Sequence, residues 1–231
     1  MKKILTIFLC ASFICTGCGN MSKTSKGAIM GGAGGAVVGA GIGAAVGKDA
    51  KSAAVGGVVG AAVGAAVGSV IGDIMEKKAA EMAQIDGVQV ETVTDDNGYE
   101  AIKITFDSGI LFETGKYTLN EASKASLSEF AVEMRDLPET DITIYGHTDN
   151  TGSAAVNERL SLQRAQAVSD YLKRLGIEAD RMVYEGKSFK EPIADNSTAE
   201  GRRLNRRVEV FVSANETMIK QAEEGNLKKK K

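Results

Sequence analysis

Apolar and polar residues alternate along the chain with two different periods, and these periods predict its elements. Residues 88–106 read VQVETVTDDNGYEAIKITF, in which apolar positions recur every second residue on both sides of an Asn97-Gly98 pair. A period of two is typical of strands, and Asn-Gly between two such runs is a strong signal of a tight turn. The pattern therefore predicts a β-hairpin at 88–106.

Downstream of the hairpin, apolar residues recur every three or four positions in two segments, which is the spacing of an amphipathic helix. The first segment lies within 119–138 and ends at Pro138, and the second spans 157–175 and ends before Gly176. Further strands are predicted at 141–148, 181–186 and 206–212. Counted from the second strand of the hairpin, the order βαβαββ predicts an α/β (α+β) sandwich with helices packed on one sheet.

The amino-terminal part contains two uncharged glycine-rich runs, 27–47 and 53–72, separated by KDAKS at 48–52. Glycine recurs there every fourth residue, so a helix would carry a stripe without side chains that lets two backbones pack closely. Each run is about as long as a membrane-spanning helix, and lipid favours helix because the backbone must satisfy its own hydrogen bonds. We therefore predict a membrane-associated glycine-zipper helical hairpin at 27–72.

In this prediction 48–52 is the turn of the hairpin, and 73–98 is a connecting helix and strand. The alternatives are a flexible linker and two zipper helices packed on each other outside the bilayer. The sequence leaves open whether the glycine stripe also forms a homo-oligomer.

The first eighteen residues have the layout of a secretory signal. Two lysines precede an apolar run at 4–14 that is too short to span a bilayer, and two small residues precede Cys18. This resembles a bacterial lipoprotein signal, with Cys15 where leucine is usual. Cleavage before Cys18 would leave one cysteine, which cannot form an internal disulfide but can carry a thioether-linked lipid.

We therefore predict a signal peptide at 1–17, lipidation of Cys18 and a polar tether at 18–26. An ordinary signal peptide and a buried apolar segment are the alternatives.

Composition and charge exclude several classes of function. The 231 residues carry a net charge of −2 and a pI near 5.7, which gives no sign of a nucleic-acid partner. His147 is the only histidine, and neither a GxSxG nor an HExxH motif is present. We expect no enzyme activity, no metal and no cofactor. The segment 215–231, which ends in four lysines, is predicted to be a disordered basic tail of solvated charge.

Two charged residues in the stretch GHTDNTGSAAVNERLSLQRAQAV are candidates for a binding site. Asp149 follows a predicted strand, and Arg164 lies inside the second predicted helix, near its apolar stripe. A guanidinium in that position needs an anion, because an unpaired buried charge is costly. If the fold holds the two residues apart, Arg164 suits a carboxylate and Asp149 an ammonium, as in a zwitterionic amino-acid centre. If they touch, they form a structural ion pair. His147 is expected to be structural.

Three blocks in this order, GHTDNTGS, NERLSLQRAQAVSDYL and NSTAEGRRLNRRVEVFV, resemble the OmpA-like peptidoglycan-binding domain over residues 99–214. With the lipoprotein signal and the glycine zipper, the chain resembles the YiaD-type envelope lipoproteins. The resemblance implies a βαβαβ-type sandwich that binds the meso-diaminopimelate residue of the peptidoglycan stem peptide. The binding residues that it implies are Asp149, Arg164, Asp107, Ser108, Asn157, Asn205 and Arg206. Asn157 also suits an N-cap that only fixes the start of the helix.

The resemblance implies a protein held in the envelope by lipidated Cys18 and the zipper helices, facing the periplasm. It would bind peptidoglycan non-covalently and so tether membrane to cell wall. Gly19-Asn20 lacks the aspartate associated with inner-membrane retention, which favours the outer membrane, with the inner membrane left open. The alternative is a membrane-active or oligomer-forming glycine-zipper protein whose carboxy-terminal domain only localises it.

Overall fold

The computed structural model describes residues 50–107, 112 and 115–227 of the chain. The predictions for the signal peptide, Cys18, the tether and the first glycine-rich run lie outside the described residues. The same holds for Ser108 and for the four terminal lysines.

One five-stranded sheet and five α-helices make up the described part of the chain. The helices are α1 (Ala50–Met82), α2 (Glu121–Arg135), α3 (Ala154–Arg174), α4 (Ala199–Asn205) and α5 (Glu216–Glu223), with a 3-10 turn at Ala179–Arg181. The strands are β1 (Val88–Thr94), β2 (Glu100–Asp107), β3 (Thr140–His147), β4 (Met182–Ser188) and β5 (Arg207–Ala214). They lie in the order β1-β2-β5-β3-β4, and all neighbours are antiparallel except β3 and β4. The α/β sandwich and its βαβαββ order are confirmed, with α4 inserted before the last strand.

The hydrophobic core lies between the sheet and helices α1, α2 and α3. Ile104 of β2 is in register with Val210 of β5, which is in register with Ile144 of β3, and all three are buried. Side chains alternate across a strand, so the neighbouring row with Thr105 and Glu209 lies on the opposite face of the sheet. The helices therefore cover one face, and the other face is more polar.

Helix α1 extends without a break from the second glycine-rich run into this core. Its residues Val67, Ile71 and Met75 are buried, and it packs on β1, β2 and α5. The structure therefore differs from the predicted boundary at residue 72, because apolar residues spaced four apart turn the end of the zipper into a core-facing stripe. Residues 50–52 are helical and do not form the predicted turn.

No helix in the part of the chain that the structure describes combines the length and the apolar character needed to cross a bilayer.

Helix α5 corrects the prediction that the chain is a disordered tail from residue 215. The Asn215 side chain accepts a hydrogen bond from Met218 N over 3.0 Å and so caps the helix. Met218 is buried in the core, and α5 packs on α1. One buried methionine in an eight-residue helix leaves too little periodicity for the sequence to reveal it.

Helix α3 lies unusually close to β3 and β4 because two glycines face it. A Cβ at Gly146 would lie 2.1 Å from Ser161 O, and a Cβ at Gly186 would lie 2.5 Å from Leu162 N. No side chain fits in that space. The contact fixes the position of α3, and with it that of Arg164.

Candidate functional site

Asp149 lies in the loop that follows β3, and hydrogen bonds hold this loop in place. Thr148 N donates to Ser188 O over 2.9 Å, which ties the end of β3 to the end of β4. Asp149 Oδ1 accepts from Thr151 N over 2.8 Å, as in an Asx turn. Gly152, with φ of 90°, then directs the chain toward α3. Only 9% of Asp149 is exposed, so its carboxylate has a fixed position.

The second oxygen of Asp149 accepts a hydrogen bond from an arginine that lies 57 residues later in the sequence. Arg206 Nη1 donates to Asp149 Oδ2 over 2.8 Å. Burial alone would raise the pKa of Asp149, but the hydrogen bonds from Arg206 and Thr151 outweigh it and hold the pKa below its ordinary value. Asp149 is therefore ionised and paired at neutral pH.

Arg164 is almost completely buried and has few partners. It is 2% exposed, its Nε donates to Lys116 O over 3.2 Å, and its guanidinium lies 5.3 Å from the ring centre of Phe112. Nη1 has no hydrogen-bond partner, and no carboxylate of the described residues lies within 4.0 Å of the guanidinium. Burial lowers the pKa of Arg164 from its ordinary value to about 10, with a further lowering by Arg206 and an opposite effect of Asp149. The predicted pair is thus held apart: Asp149 contacts Arg206 and not Arg164.

Arg181 shows how this fold satisfies a buried arginine that has a purely structural role. Its Nε and Nη2 donate to Thr140 O and Leu137 O over 2.8 Å each, and Nη2 also donates to the Thr140 hydroxyl over 2.9 Å. Nη1 donates to Met134 O over 3.3 Å. All three nitrogens of Arg181 donate hydrogen bonds, whereas only one nitrogen of Arg164 does so to the residues that the structure describes. The hydrogen-bonding capacity of Arg164 is therefore largely unused.

Asn157 supports the Asp149 loop from inside α3. It is not the N-cap of the helix, since Ser153 holds that position and its hydroxyl accepts from Val156 N over 3.4 Å. Asn157 is buried, and its Nδ2 donates to Thr151 O over 2.9 Å. It thereby joins the first turn of α3 to the loop that carries Asp149.

Asn205 is fully occupied by contacts within the protein. Its Oδ1 accepts from Ile193 N and Ala194 N over 2.8 and 3.0 Å. Its Nδ2 donates to Ala194 O and Asn196 Oδ1 over 2.8 and 2.9 Å. Asn196 Oδ1 in turn accepts from Asn150 N over 3.3 Å. Asn205 therefore supports the loop beside Asp149 and has no free amide group for a ligand.

Asp107, Ser108 and His147 are the remaining residues named from the sequence. Asp107 ends β2 in register with Arg207 of β5, and its side chain lies outside the described residues, as does Ser108. His147 is buried, with Nε2 at 3.6 Å from Glu209 Oε2, which is longer than a hydrogen bond. It thus lies inside the fold next to a carboxylate, in keeping with a structural role.

The carboxylate beside His147 belongs to a small ionic cluster on the polar face of the sheet. Glu209 Oε1 accepts from Arg207 Nε over 2.8 Å and lies 3.0 Å from Lys103 Nζ. Burial alone would raise the pKa of Glu209, but the contacts with His147, Arg207 and Lys103 outweigh it and hold the pKa well below its ordinary value. The cluster joins β2, β3 and β5 next to the candidate site.

Phe112 and Lys116 are not among the predicted site residues, although they contact the Arg164 guanidinium through an aromatic ring and a backbone carbonyl. Neither contact leaves a recognisable motif. Nowhere in the described part of the chain do three His, Cys, Asp or Glu side chains gather in a way that could hold a metal ion.

Two family models match this chain, and they cover different parts of it. Residues 111–206, which include Asp149, Arg164 and Arg206, match the OmpA family. Residues 1–76 match the YMGG-like Gly-zipper family.

The chain is also similar to individual proteins of known sequence or structure. It is 38% identical to the probable lipoprotein YiaD of Escherichia coli over 141 residues, which is 61% of this chain and 62% of that protein. It is 40% identical to the peptidoglycan-binding protein ArfA of Mycobacterium tuberculosis over 113 residues, which is 49% of this chain and 35% of that protein. The chain thus spans less than two thirds of either relative. The solved cell wall anchor of the T6SS from Pseudomonas aeruginosa superposes with a TM-score of 0.52 at 30% identity, covering 61% of this chain and 97% of that structure.

Proposed function

We propose that this protein binds peptidoglycan non-covalently and ties it to a membrane. Residues 111–206 match the OmpA family, and residues 1–76 match the YMGG-like Gly-zipper family. The ligand is the free amino-acid centre of diaminopimelate in the stem peptide. Its carboxylate binds Arg164, and its ammonium lies next to Asp149. The similarity to a peptidoglycan-binding protein and to a cell wall anchor supports this function.

The buried, underused guanidinium of Arg164 is the observation that carries the proposal. Keeping a charge in the interior with one hydrogen bond is costly, and Arg181 demonstrates that the same fold can satisfy an arginine completely. A carboxylate would accept two parallel hydrogen bonds from the guanidinium fork. The ligand thus supplies the partner that the described residues do not.

Lipidation of Cys18 and insertion or close packing of the zipper helices supply the membrane half of the tether. Acyl chains contribute about 0.8 kcal/mol for each buried CH₂ group, so two or three chains hold a protein firmly. The similarity to a probable lipoprotein supports this assignment, and the outer membrane, with the domain facing the periplasm, is the proposed location.

Sedimentation with purified cell walls tests the wall-binding half. The full-length protein in a neutral detergent should sediment with diaminopimelate-containing peptidoglycan. Arg164→Met should weaken this binding by about tenfold or more, because a charge-assisted hydrogen bond contributes about 1.5–3 kcal/mol. Arg159→Met on the same helix, at an exposed position, is the matched control and should bind as the parent does.

Two results would contradict the proposal. One is equal sedimentation of the parent protein and Arg164→Met. The other is equal binding to walls whose stem peptides carry lysine in place of diaminopimelate, since lysine lacks the second carboxylate.

A further inference from the structure

The two halves of the proposed site are not equivalent in the free protein. Both oxygens of Asp149 already accept a hydrogen bond, one from Thr151 N and one from Arg206 Nη1, each over 2.8 Å. Arg164, in contrast, has a buried Nη1 without a partner. Asp149 is therefore already paired, whereas Arg164 has no counter-ion among the described residues.

Arg206 stands where the ammonium of a ligand would approach Asp149. Its guanidinium is a cation at hydrogen-bond distance from the carboxylate, and its side chain is 30% exposed, against 12% for Asp149. A ligand ammonium would have to displace Arg206 or share the carboxylate with it. Displacement breaks an existing charge-assisted hydrogen bond. Sharing places the ammonium beside the Arg206 cation, whose repulsion offsets part of the attraction to Asp149. Both reduce the net gain from the ammonium.

The charges of the three residues do not balance. Arg164 and Arg206 carry two positive charges and Asp149 carries one negative charge. Asp149 pairs with Arg206, and no carboxylate of the described residues pairs with Arg164. An incoming carboxylate both neutralises this excess and accepts the hydrogen bond that Nη1 makes to none of the described residues. It breaks no hydrogen bond between Nη1 and a described residue, because none of them accepts from this nitrogen.

We infer that Arg206 acts as an internal stand-in for the ligand ammonium, so that the site selects its ligand by a free carboxylate and uses the ammonium only weakly. This inference rests on the proposed function. It defines the ligand class as carboxylates at the end of a short aliphatic chain, with or without an α-ammonium. Stem peptides in which this carboxyl group is amidated or absent are excluded, because a carboxamide brings no negative charge to Arg164.

Competition with small molecules that share one carbon skeleton tests the inference. Diaminopimelate, pimelate, cadaverine and the diamide of diaminopimelate are each added to the full-length protein and diaminopimelate-type walls, and the bound protein is measured by sedimentation. Pimelate lacks both amino groups, and cadaverine lacks both carboxyl groups. The pimelate concentration that halves wall binding should lie within about tenfold of the diaminopimelate concentration that does so. Cadaverine and the diamide should not compete even at about ten times the effective concentration of pimelate.

The variant Arg206→Gln sharpens the test. Removing the stand-in exposes Asp149 to the ligand ammonium, so the preference for diaminopimelate over pimelate should rise about tenfold, as expected for one charge-assisted hydrogen bond. Arg203→Gln is the matched control on α4, since Arg203 pairs with Glu200. It should leave the preference unchanged.

The outcomes separate this inference from the proposed function. If diaminopimelate does not compete at all, the proposed function fails, and the inference fails with it. If diaminopimelate competes and pimelate does not, or if Arg206→Gln leaves the preference unchanged, the inference alone is overturned.

Discussion

Replacing Arg164 by methionine should separate stability from binding. The pKa of Arg164 falls from its ordinary value to about 10 in the fold, mainly because of burial. Each unit by which a pKa is displaced corresponds to about 1.36 kcal/mol, so keeping this guanidinium charged inside the protein costs about 3 kcal/mol. Its hydrogen bond to Lys116 O and its contact with the Phe112 ring return about 1 kcal/mol each.

Methionine has a similar length and buries without a charge. We therefore expect Arg164→Met to have a free energy of unfolding equal to that of the parent or higher by about 1 kcal/mol, although its binding to cell walls is weakened. Urea unfolding of the full-length proteins, followed by circular dichroism, measures the difference.

Arg181→Met is the control for this measurement, because it removes a buried arginine that has a structural role. It leaves the carbonyls of Thr140 and Leu137 without their donors, and we expect a loss of about 3 kcal/mol or more. If Arg164→Met loses as much stability as Arg181→Met, Arg164 is a structural residue, and its unused hydrogen bonds do not indicate a ligand.

Three further predictions concern the scaffold around the site. The lowered pKa of Glu209 means that its contribution to stability is present above the ordinary value of 4.5 and is lost as pH falls through the lower folded value. Glu209→Gln should thus lower the free energy of unfolding by about 3 kcal/mol at pH 7. Between pH 7 and about pH 3, the variant should lose less stability than the parent does, as measured by urea midpoints. Gly146→Ala should lose more than about 2 kcal/mol, because its Cβ would lie 2.1 Å from Ser161 O; an unchanged melting temperature would contradict the close packing of α3. Ile71→Ala should lose about 2–4 kcal/mol in the same urea assay, whereas a helix α1 independent of the domain would make this substitution neutral.

The local patterns of the sequence were sufficient for most of the sheet. The alternation at 88–106 predicted the hairpin, and the structure pairs Val88–Thr94 with Glu100–Asp107 around Gly98, whose φ is 84°. The helical spacing at 157–175 predicted α3 to within three residues at its start. Such patterns are readable because one face of each element is buried and the other is not.

The candidate site was only partly predictable, because its decisive contact joins distant parts of the chain. Asp149 and Arg164 stand out since a strand, a loop and a helix place charged residues near a buried stripe. The contact of Asp149 with Arg206, 57 residues away, depends on β5 lying between β2 and β3, and no periodicity predicts that order. The role of Asn205 in the loop 193–196 was hidden for the same reason.

Helix α1 was predicted as two separate units because its residues show two superposed patterns. Gly64, Gly68 and Gly72 recur every fourth residue, and so do Val67, Ile71 and Met75. The first pattern favours close helix packing and the second a stripe that faces a core. Only the position of the sheet decides that the second pattern prevails from Val67 onward.

The unbroken course of α1 also has a mechanical consequence. Its 33 residues give a rod ~50 Å long, whose carboxy-terminal half lies clamped beneath β1 and β2. Tension applied at the amino-terminal end passes along the rod to Met75 and Met82 without a joint between residues 50 and 82. Such a load is borne by the buried face of α1, where Val67, Ile71, Met75 and Met82 lie in the hydrophobic core of the domain.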